Sequence, residues 1–364
     1  MRASKVADEI GVVVHGPEVV DLGFAEMAID RLSDLGTVTA VLGGTMGRVA
    51  VIDGSLEDRI NISRRELPSR SVKRLEGACD FVLLLNYAKT RETGLAFGAM
   101  VAARARPDKP LLIADYGGGY ISLLAGDGVE IAEKLAGALE LELVDPPRPP
   151  SRMENSGGAV RRRMEGAVPG EKITVNGIVV GTALQETVEI STEGGKILDI
   201  RGAEVKLHGI EKLSSLDLET AILRTGEIRR TRNVPRSVSN RGVDAVLIDH
   251  AAEEAFEKAD GAMVAVTIGD DTTAIAGDLL SRVGIPIVGV VDGDLDHLCE
   301  RTAEPKGSVV IVVSAGSDDL VGIRVKEEIF RGGDRISMEG LGIEDIVTGV
   351  KRAAGGDLRK VRRF

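Results

Sequence analysis

Residues 261–298, GAMVAVTIGDDTTAIAGDLLSRVGIPIVGVVDGDLDHL, leave few folds open to the chain that carries them. Ala262–Ile268 and Ile285–Val291 are β-branched runs of strand length. Both are apolar at every position rather than every second one, the mark of parallel strands covered on both faces. Between them Ala274, Ile275, Leu279, Leu280 and Val283 recur at three- and four-residue spacing, the stripe of a helix lying on a sheet. Gly284-Ile285-Pro286 stops the helix and starts the second strand. Two parallel strands joined by one crossover end at the same edge, so Gly269-Asp270-Asp271 and Asp292-Gly293-Asp294-Leu295-Asp296 are expected side by side. Ligands of open α/β sheets bind beyond that edge.

Five carboxylates gathered on one rim repel one another unless hydrogen bonds, a basic ligand or a cation relieve them. Asp318 and Asp319, past Ser314 at the end of a further strand, add to the group. Any one of these acids reads as a helix cap. Together they suit Mg²⁺, which takes oxygen ligands and keeps several waters. Asp270, Asp292 and Asp294 are the expected metal ligands, Asp292 and Asp294 the expected catalytic acids, and Thr272 an expected ligand contact.

The βα pattern also runs through residues 1–145, which read as a doubly wound α/β domain. Its strands are expected at Ile10–Val14, Val38–Leu42, Phe81–Leu85, Leu111–Ala114 and Glu140–Val144, with further short strands at Arg48–Ile52 and Arg59–Ile62. Residues 146–170, rich in proline and glycine at their start, read as a linker. In 171–225 the period changes: Asn176-Gly177 between β-branched runs signals a hairpin, a second hairpin follows, and Leu216–Leu223 reads as a short helix. The α/β pattern returns in 226–364, ending in a helix at Ile343–Ala354 and a basic tail expected to be solvated. The predicted architecture is two Rossmann-like doubly wound domains with mostly parallel sheets, joined by a small antiparallel β module that also offers a homodimer contact.

Charge narrows the partners. With 46 basic and 57 acidic residues the net charge is −11, which argues against general nucleic-acid or anionic-membrane binding. No apolar run approaches the roughly 20 residues of a membrane helix, and a cytoplasmic location is expected. Cys79 and Cys299 lie far apart in apolar surroundings and read as buried thiols. Sparse amide side chains beside many charged ones point to a thermophilic source.

Candidate chemistry in the first half starts at the ends of its strands. Gly43-Gly44-Thr45-Met46-Gly47-Arg48 follows a strand, and Gly43, Gly44 and Thr45 offer backbone N–H groups for a phosphate with Arg48 beside them. His15, leaving the first strand beside Glu18, is a candidate general acid or base. The arginine segment Arg229-Arg230-Thr231-Arg232, with Arg236 and Arg241, is either a charged connector or a phosphate clamp. His250 and His297 flank strand ends without making a metal site, and His208 reads as structural.

Phe81–Asn86, Glu92-Thr93-Gly94-Leu95-Ala96-Phe97-Gly98-Ala99 and Lys109-Pro110-Leu111 resemble the nucleoside deoxyribosyltransferases and related Rossmann-like proteins over about 35 residues. That resemblance implies a ribose contact at Glu92, while Gly98 stands where the family keeps its nucleophilic glutamate. Asp292-Gly293-Asp294 at a strand end is similar to the first motif of haloacid-dehalogenase-type phosphotransferases, with the Gly-Asp-Asp element before it rather than last. It is also similar to the Asp-x-Asp of Toprim domains. As a whole, the run of HGPE, GDDTT and DGDLD elements resembles an uncharacterised family of conserved archaeal proteins of the methanogen type. The expected function is a Mg²⁺-dependent enzyme acting on a nucleotide or phosphorylated metabolite, and the alternative is a non-catalytic nucleotide sensor or scaffold.

Overall fold

A computed structural model describes residues 5–44, 47–64, 66–147, 153–156, 158–213, 215–218, 221–226, 242–293 and 305–364. Its architecture is mixed α/β, with two mostly parallel sheets and two small antiparallel ones.

The first sheet contains β1 (Glu9–His15), β2 (Thr37–Gly43), β3 (Ile60–Asn61), β4 (Phe81–Asn86), β5 (Leu111–Asp115), β6 (Tyr120–Ala125) and β7 (Glu142–Val144), in the order 3-2-1-4-5-6-7. All neighbours are parallel except β5 and β6. Its helices are α1 (Glu18–Asp21), α2 (Phe24–Ser33), α3 (Gly47–Asp53), α4 (Pro68–Leu75), α5 (Arg91–Ala105) and α6 (Val129–Leu139). Successive β1 residues serve opposite faces. Val12 and Val14 pack with α2 and α6, and Val13 packs with α4 and α5. Burial on both faces explains why these strands are apolar throughout.

The β module holds β8 (Met153–Ser156), β9 (Ala159–Glu165), β10 (Lys172–Val175), β11 (Ile178–Ala183), β12 (Thr187–Glu193), β13 (Lys196–Arg201), β14 (Ala203–Val205), the helix α7 (Leu207–Glu211) and β15 (Leu223–Thr225). Asn176 and Gly177, with φ of 50° and 82°, make the hairpin turn that their identities call for. The stretch expected to be a linker instead carries β8 and β9. The reason is visible at β9, whose Arg162 donates to the Leu218 and Ala221 carbonyls while Arg163 pairs with Glu189 across the sheet. The helix expected at Leu216–Leu223 is absent among its described residues; the helical turn lies earlier, in α7.

The second mostly parallel sheet comprises β16 (Asp244–Asp249), β17 (Ala262–Ile268), β18 (Ile287–Val291), β19 (Val309–Val313), β20 (Arg335–Ser337) and β21 (Leu358–Arg363), in the order 20-16-17-18-19-21. β16 to β19 are parallel, and antiparallel β20 and β21 close the two edges. The helices α8 (Ala255–Lys258) and α9 (Asp270–Ser281) pack on one face, α10 (Asp318–Glu328) and α11 (Ile343–Ala354) on the other. The basic tail is therefore an edge strand rather than a solvated end. Pairing on β19 and the two hydrogen bonds from Arg363 to Glu344 hold it.

Arg48–Ile52, expected as a strand, lies in α3. Val49 packs in the core of the second sheet, while Ala50 and Val51 pack in that of the first. A short helix buried on all sides has no polar stripe, so its sequence cannot be told from a buried strand. Where α3 ends, Asp53 meets Arg282 from the end of α9 at 3.3 Å; both side chains are buried, and Arg282 also reaches Asp278 at 2.7 Å. No helix of the described residues is long and apolar enough to cross a membrane.

Candidate functional site

Each parallel sheet presents the carboxyl ends of its strands as a rim, and the β module touches both. At the first rim the neighbours β1 and β4 mark the switch point, because the chain leaves β1 in one direction for β2 and returns on its other side as β4. Their last residues meet there: His15 Nδ1 lies 2.9 Å from Asn86 Oδ1. The Asn86 amide in turn donates to Asp115 Oδ2 at 2.6 Å, at the end of β5. Since the Asn86 NH₂ faces the carboxylate, its oxygen accepts, and His15 must carry its proton on Nδ1. Asp115, wholly buried, also accepts from the Ala88 and Gly118 N–H groups. Burial drives the His15 imidazole down to about 4, against the hydrogen bond it donates to Asn86 and with Arg224 of β15 adding to the fall. His15 is thus neutral, and it stacks on Phe97 with ring centroids 4.0 Å apart.

The phosphate cradle expected beside it takes another form. Gly43 is packed so tightly that a Cβ would lie 2.5 Å from Val13, and Gly44 gives its N–H to the Glu66 carbonyl at 2.8 Å. Arg48 is buried, hydrogen-bonded to the Ile62 carbonyl, 3.9 Å from Glu257, and set over the Phe256 ring. Its guanidinium joins α3 to α8 and is not held out for a ligand. Glu92 is exposed in the first turn of α5. Thr45 lies outside the described residues, as do Asp294, Asp296, His297, Cys299 and the arginine segment.

At the second rim the expected adjacency of acids holds, but much of it is spent on backbone. Asp270 Oδ2 accepts the N–H groups of Asp292 and Gly293 at 2.8 and 3.0 Å. Asp292 Oδ2 accepts the N–H of Gly316 beyond β19. The carboxylates stitch three consecutive loops together, as capping acids do. The other oxygen of Asp292 is buried without a hydrogen-bond partner among the described residues.

The chemically open part of this rim centres on His250, which follows β16. It holds φ of 50°, a left-handed conformation unusual for a non-glycine residue. Its Nδ1 bonds Asp249 Oδ1. Burial pushes the Asp249 carboxyl up, but the hydrogen bond and charge of His250 outweigh it and hold the group below the usual range. With Nδ1–H donated to a carboxylate, Nε2 is the acceptor, and Lys212 Nζ approaches it at 2.8 Å. Lys212 also lies 3.3 Å from Asp319 Oδ1, and so does His250 Nε2. His208 Nε2 is 3.3 Å from the other oxygen of Asp319. Asp318 is buried beside them, its carboxyl pushed up by burial and then by the charge of Asp292. His250, Asp318 and Asp319 offer ligand atoms all within 4.8 Å of one another.

These groups line a pocket between the rim and the module. Gly269, Asp270, Asp271, Thr272, His250 and Asp318 form one wall. Gly177, Lys206, His208, Gly209 and Lys212 form the other. Gly269, with φ of 99°, leaves room for the imidazole: a Cβ there would stand 3.2 Å from His250 Nε2. The structure thus brings Asp270 and Thr272 to the pocket, and it keeps His15 at a separate rim. His250 was readable from its position at the end of β16, on the rim that the Gly-Asp-Asp element marks. Lys212 and His208 were not, because they come from the module and nothing in their local sequence says which rim they cover.

A model of a family described as uncharacterised proteins conserved in archaea, DUF2117, matches residues 12–333. An uncharacterised protein of Methanocaldococcus jannaschii is 42% identical over 325 residues, which cover 86% of this chain and 89% of the relative. No solved structure matches.

Proposed function

The chain belongs to that archaeal family, and we propose that it is an enzyme acting on a phosphorylated metabolite bound in the pocket between the second rim and the β module. One observation carries this: Lys206, His208 and Lys212 face a cavity whose opposite wall bears His250, Asp270 and Asp318. Phosphoryl chemistry needs positive charge on the oxygens that gain negative charge, with acid–base groups beside it. Lysine ammonium groups supply the first, as point charges. The imidazole and carboxylates supply the second. The pocket also opens onto the start of α9, whose dipole favours an anion there.

Each parallel sheet, with helices on both faces, is read as a Rossmann-like unit, and the pocket then occupies the edge where such sheets bind ligands. Support for Mg²⁺ on Asp270, Asp292 and Asp294 is weaker, since an oxygen of each of the first two is already engaged by backbone N–H groups. The test is a screen of nucleotides and sugar phosphates for phosphate release or transfer by the purified chain. The Lys206→Met/Lys212→Met double variant is expected to retain its fold and lose at least about a hundredfold in kcat/KM, or about 2.7 kcal/mol of transition-state stabilisation. A wild-type chain that turns over none of the panel would remove the proposal.

A further inference from the structure

Resting on the proposed role of this pocket as the functional centre, we infer that His250, Asp318 and Asp319 form a binding site for a divalent transition-series cation, and that the ammonium of Lys212 holds its place until the metal arrives. The geometry supports both halves. His250 Nε2 and Asp319 Oδ1 are 3.3 Å apart. Two ligands bonded to one tetrahedral ion at about 2 Å stand at about that separation. The buried Asp318 carboxylate completes a group within 4.8 Å, and among the described residues it forms no ion pair. Behind the imidazole, Asp249 accepts the Nδ1–H hydrogen bond, the outer-shell arrangement that fixes a ligating histidine with its Nε2 lone pair forward. The left-handed backbone at His250 and the missing side chain at Gly269 keep that lone pair aimed into the pocket.

Lys212 stands where a metal would be: its Nζ is 2.8 Å from His250 Nε2 and 3.3 Å from Asp319 Oδ1. An ammonium there offsets the acids but cannot bond an imidazole lone pair and two carboxylates as compactly as an ion can. Imidazole beside two carboxylates favours Mn²⁺, Zn²⁺ or Fe²⁺ over Mg²⁺, which prefers oxygen ligands and holds its water. Displaced by the metal, Lys212 stays at the mouth of the same pocket, within reach of an anion bridging metal and lysine.

Isothermal titration of the metal-free chain with MnCl₂, ZnCl₂ and MgCl₂ tests this. The expected result is one Mn²⁺ or Zn²⁺ per chain, with Mg²⁺ at least tenfold weaker. His250→Ala and Asp319→Asn should each weaken Mn²⁺ at least tenfold, and Asp249→Asn by a similar factor through loss of the imidazole's anchor. Lys212→Met should tighten Mn²⁺ by about tenfold, because it removes a competing positive charge, and no misfolded variant would do that. Unchanged or weaker Mn²⁺ binding in Lys212→Met overturns the inference, as does Mn²⁺ binding that survives His250→Ala. The two proposals fail separately. Stoichiometric metal binding in a chain inert towards every phosphorylated compound sinks the proposed function alone, whereas turnover untouched by chelators sinks the metal site alone.

Discussion

The two parallel sheets end in rims assembled by the same rule, and the rims differ in what they leave over. At the first, His15, Asn86 and Asp115 consume one another: carboxylate to amide, amide to imidazole, with backbone N–H groups filling the carboxylate's remaining positions. The histidine ends neutral. At the second, two histidines, two lysines and three aspartates share a cavity, and His250 Nε2 faces a lysine rather than a permanent backbone partner. A polar group with all its bonds made inside the protein stabilises the fold. A group held among mobile charges is available for chemistry, and strongly shifted or crowded ionisable groups mark such places. Topology puts polar residues on both rims. Only the accounting of their hydrogen bonds separates a scaffold from a site.

That contrast can be broken by substitution. Asn86→Ala at the first rim strands a buried carboxylate and a half-buried imidazole together, and should cost about 3 kcal/mol in chemical denaturation. Asp319→Asn at the second should cost under about 1 kcal/mol, since its partners are partly exposed. Equal losses would erase the distinction between the rims. In catalysis the order reverses. The double lysine variant is expected to lose about a hundredfold, while His15→Gln retains turnover within about threefold, the opposite of what a catalytic His15 requires.

The pH dependence of stability sharpens the same comparison. His15 has its folded pKa lowered to about 4 from its ordinary value of 6.5, so the neutral form belongs to the folded state. Its contribution is whole above pH 6.5 and is lost as pH falls towards 4, amounting to about 2 kcal/mol after allowing for partial exposure of the ring. Glu18 opposes it: burial raises that carboxyl, so the stability linked to it is present at low pH and lost as pH rises through the folded value. Melting curves of the wild type and His15→Gln between pH 7 and 4 should therefore converge at the acid end. Parallel curves would mean that the imidazole is solvated and the first rim is open.

Much of this was legible in the sequence, and the failures share a cause. The alternation of β1, β2, β4 and β5 with helices, the strands β16 to β19, and the Asn176-Gly177 hairpin all follow from local patterns. The parallel crossover rule predicts that Asp270 and Asp292 meet. Local pattern fails where one segment serves two partners. Helix α3 is buried between two sheets and looks like a strand, and β9 looks like a linker because the acceptors of its Arg162 lie 56 and 59 residues on. The candidate site fails to show for the same reason. Its histidine and aspartates belong to one sheet and its lysines to the module, so the crevice exists only after those parts are packed. Even the acids that were singled out, Asp270 and Asp292, turn out to bond loops, while Asp319, given a supporting part, touches three side chains.

The smallest effect tests whether the module's placement at the second rim matters. Gly177 sits in the β10–β11 turn with φ of 82°, and a Cβ there would lie 3.2 Å from the His250 carbonyl. Gly177→Ala should cost about 1 kcal/mol through the left-handed backbone alone. The added methyl also pushes against the residue that carries the pocket's imidazole, so turnover should fall several-fold beyond what the lost stability explains. A loss of stability with turnover unchanged would mean that His250 keeps its position without the turn. The pocket would then be a property of the second sheet, with the module only lying over it.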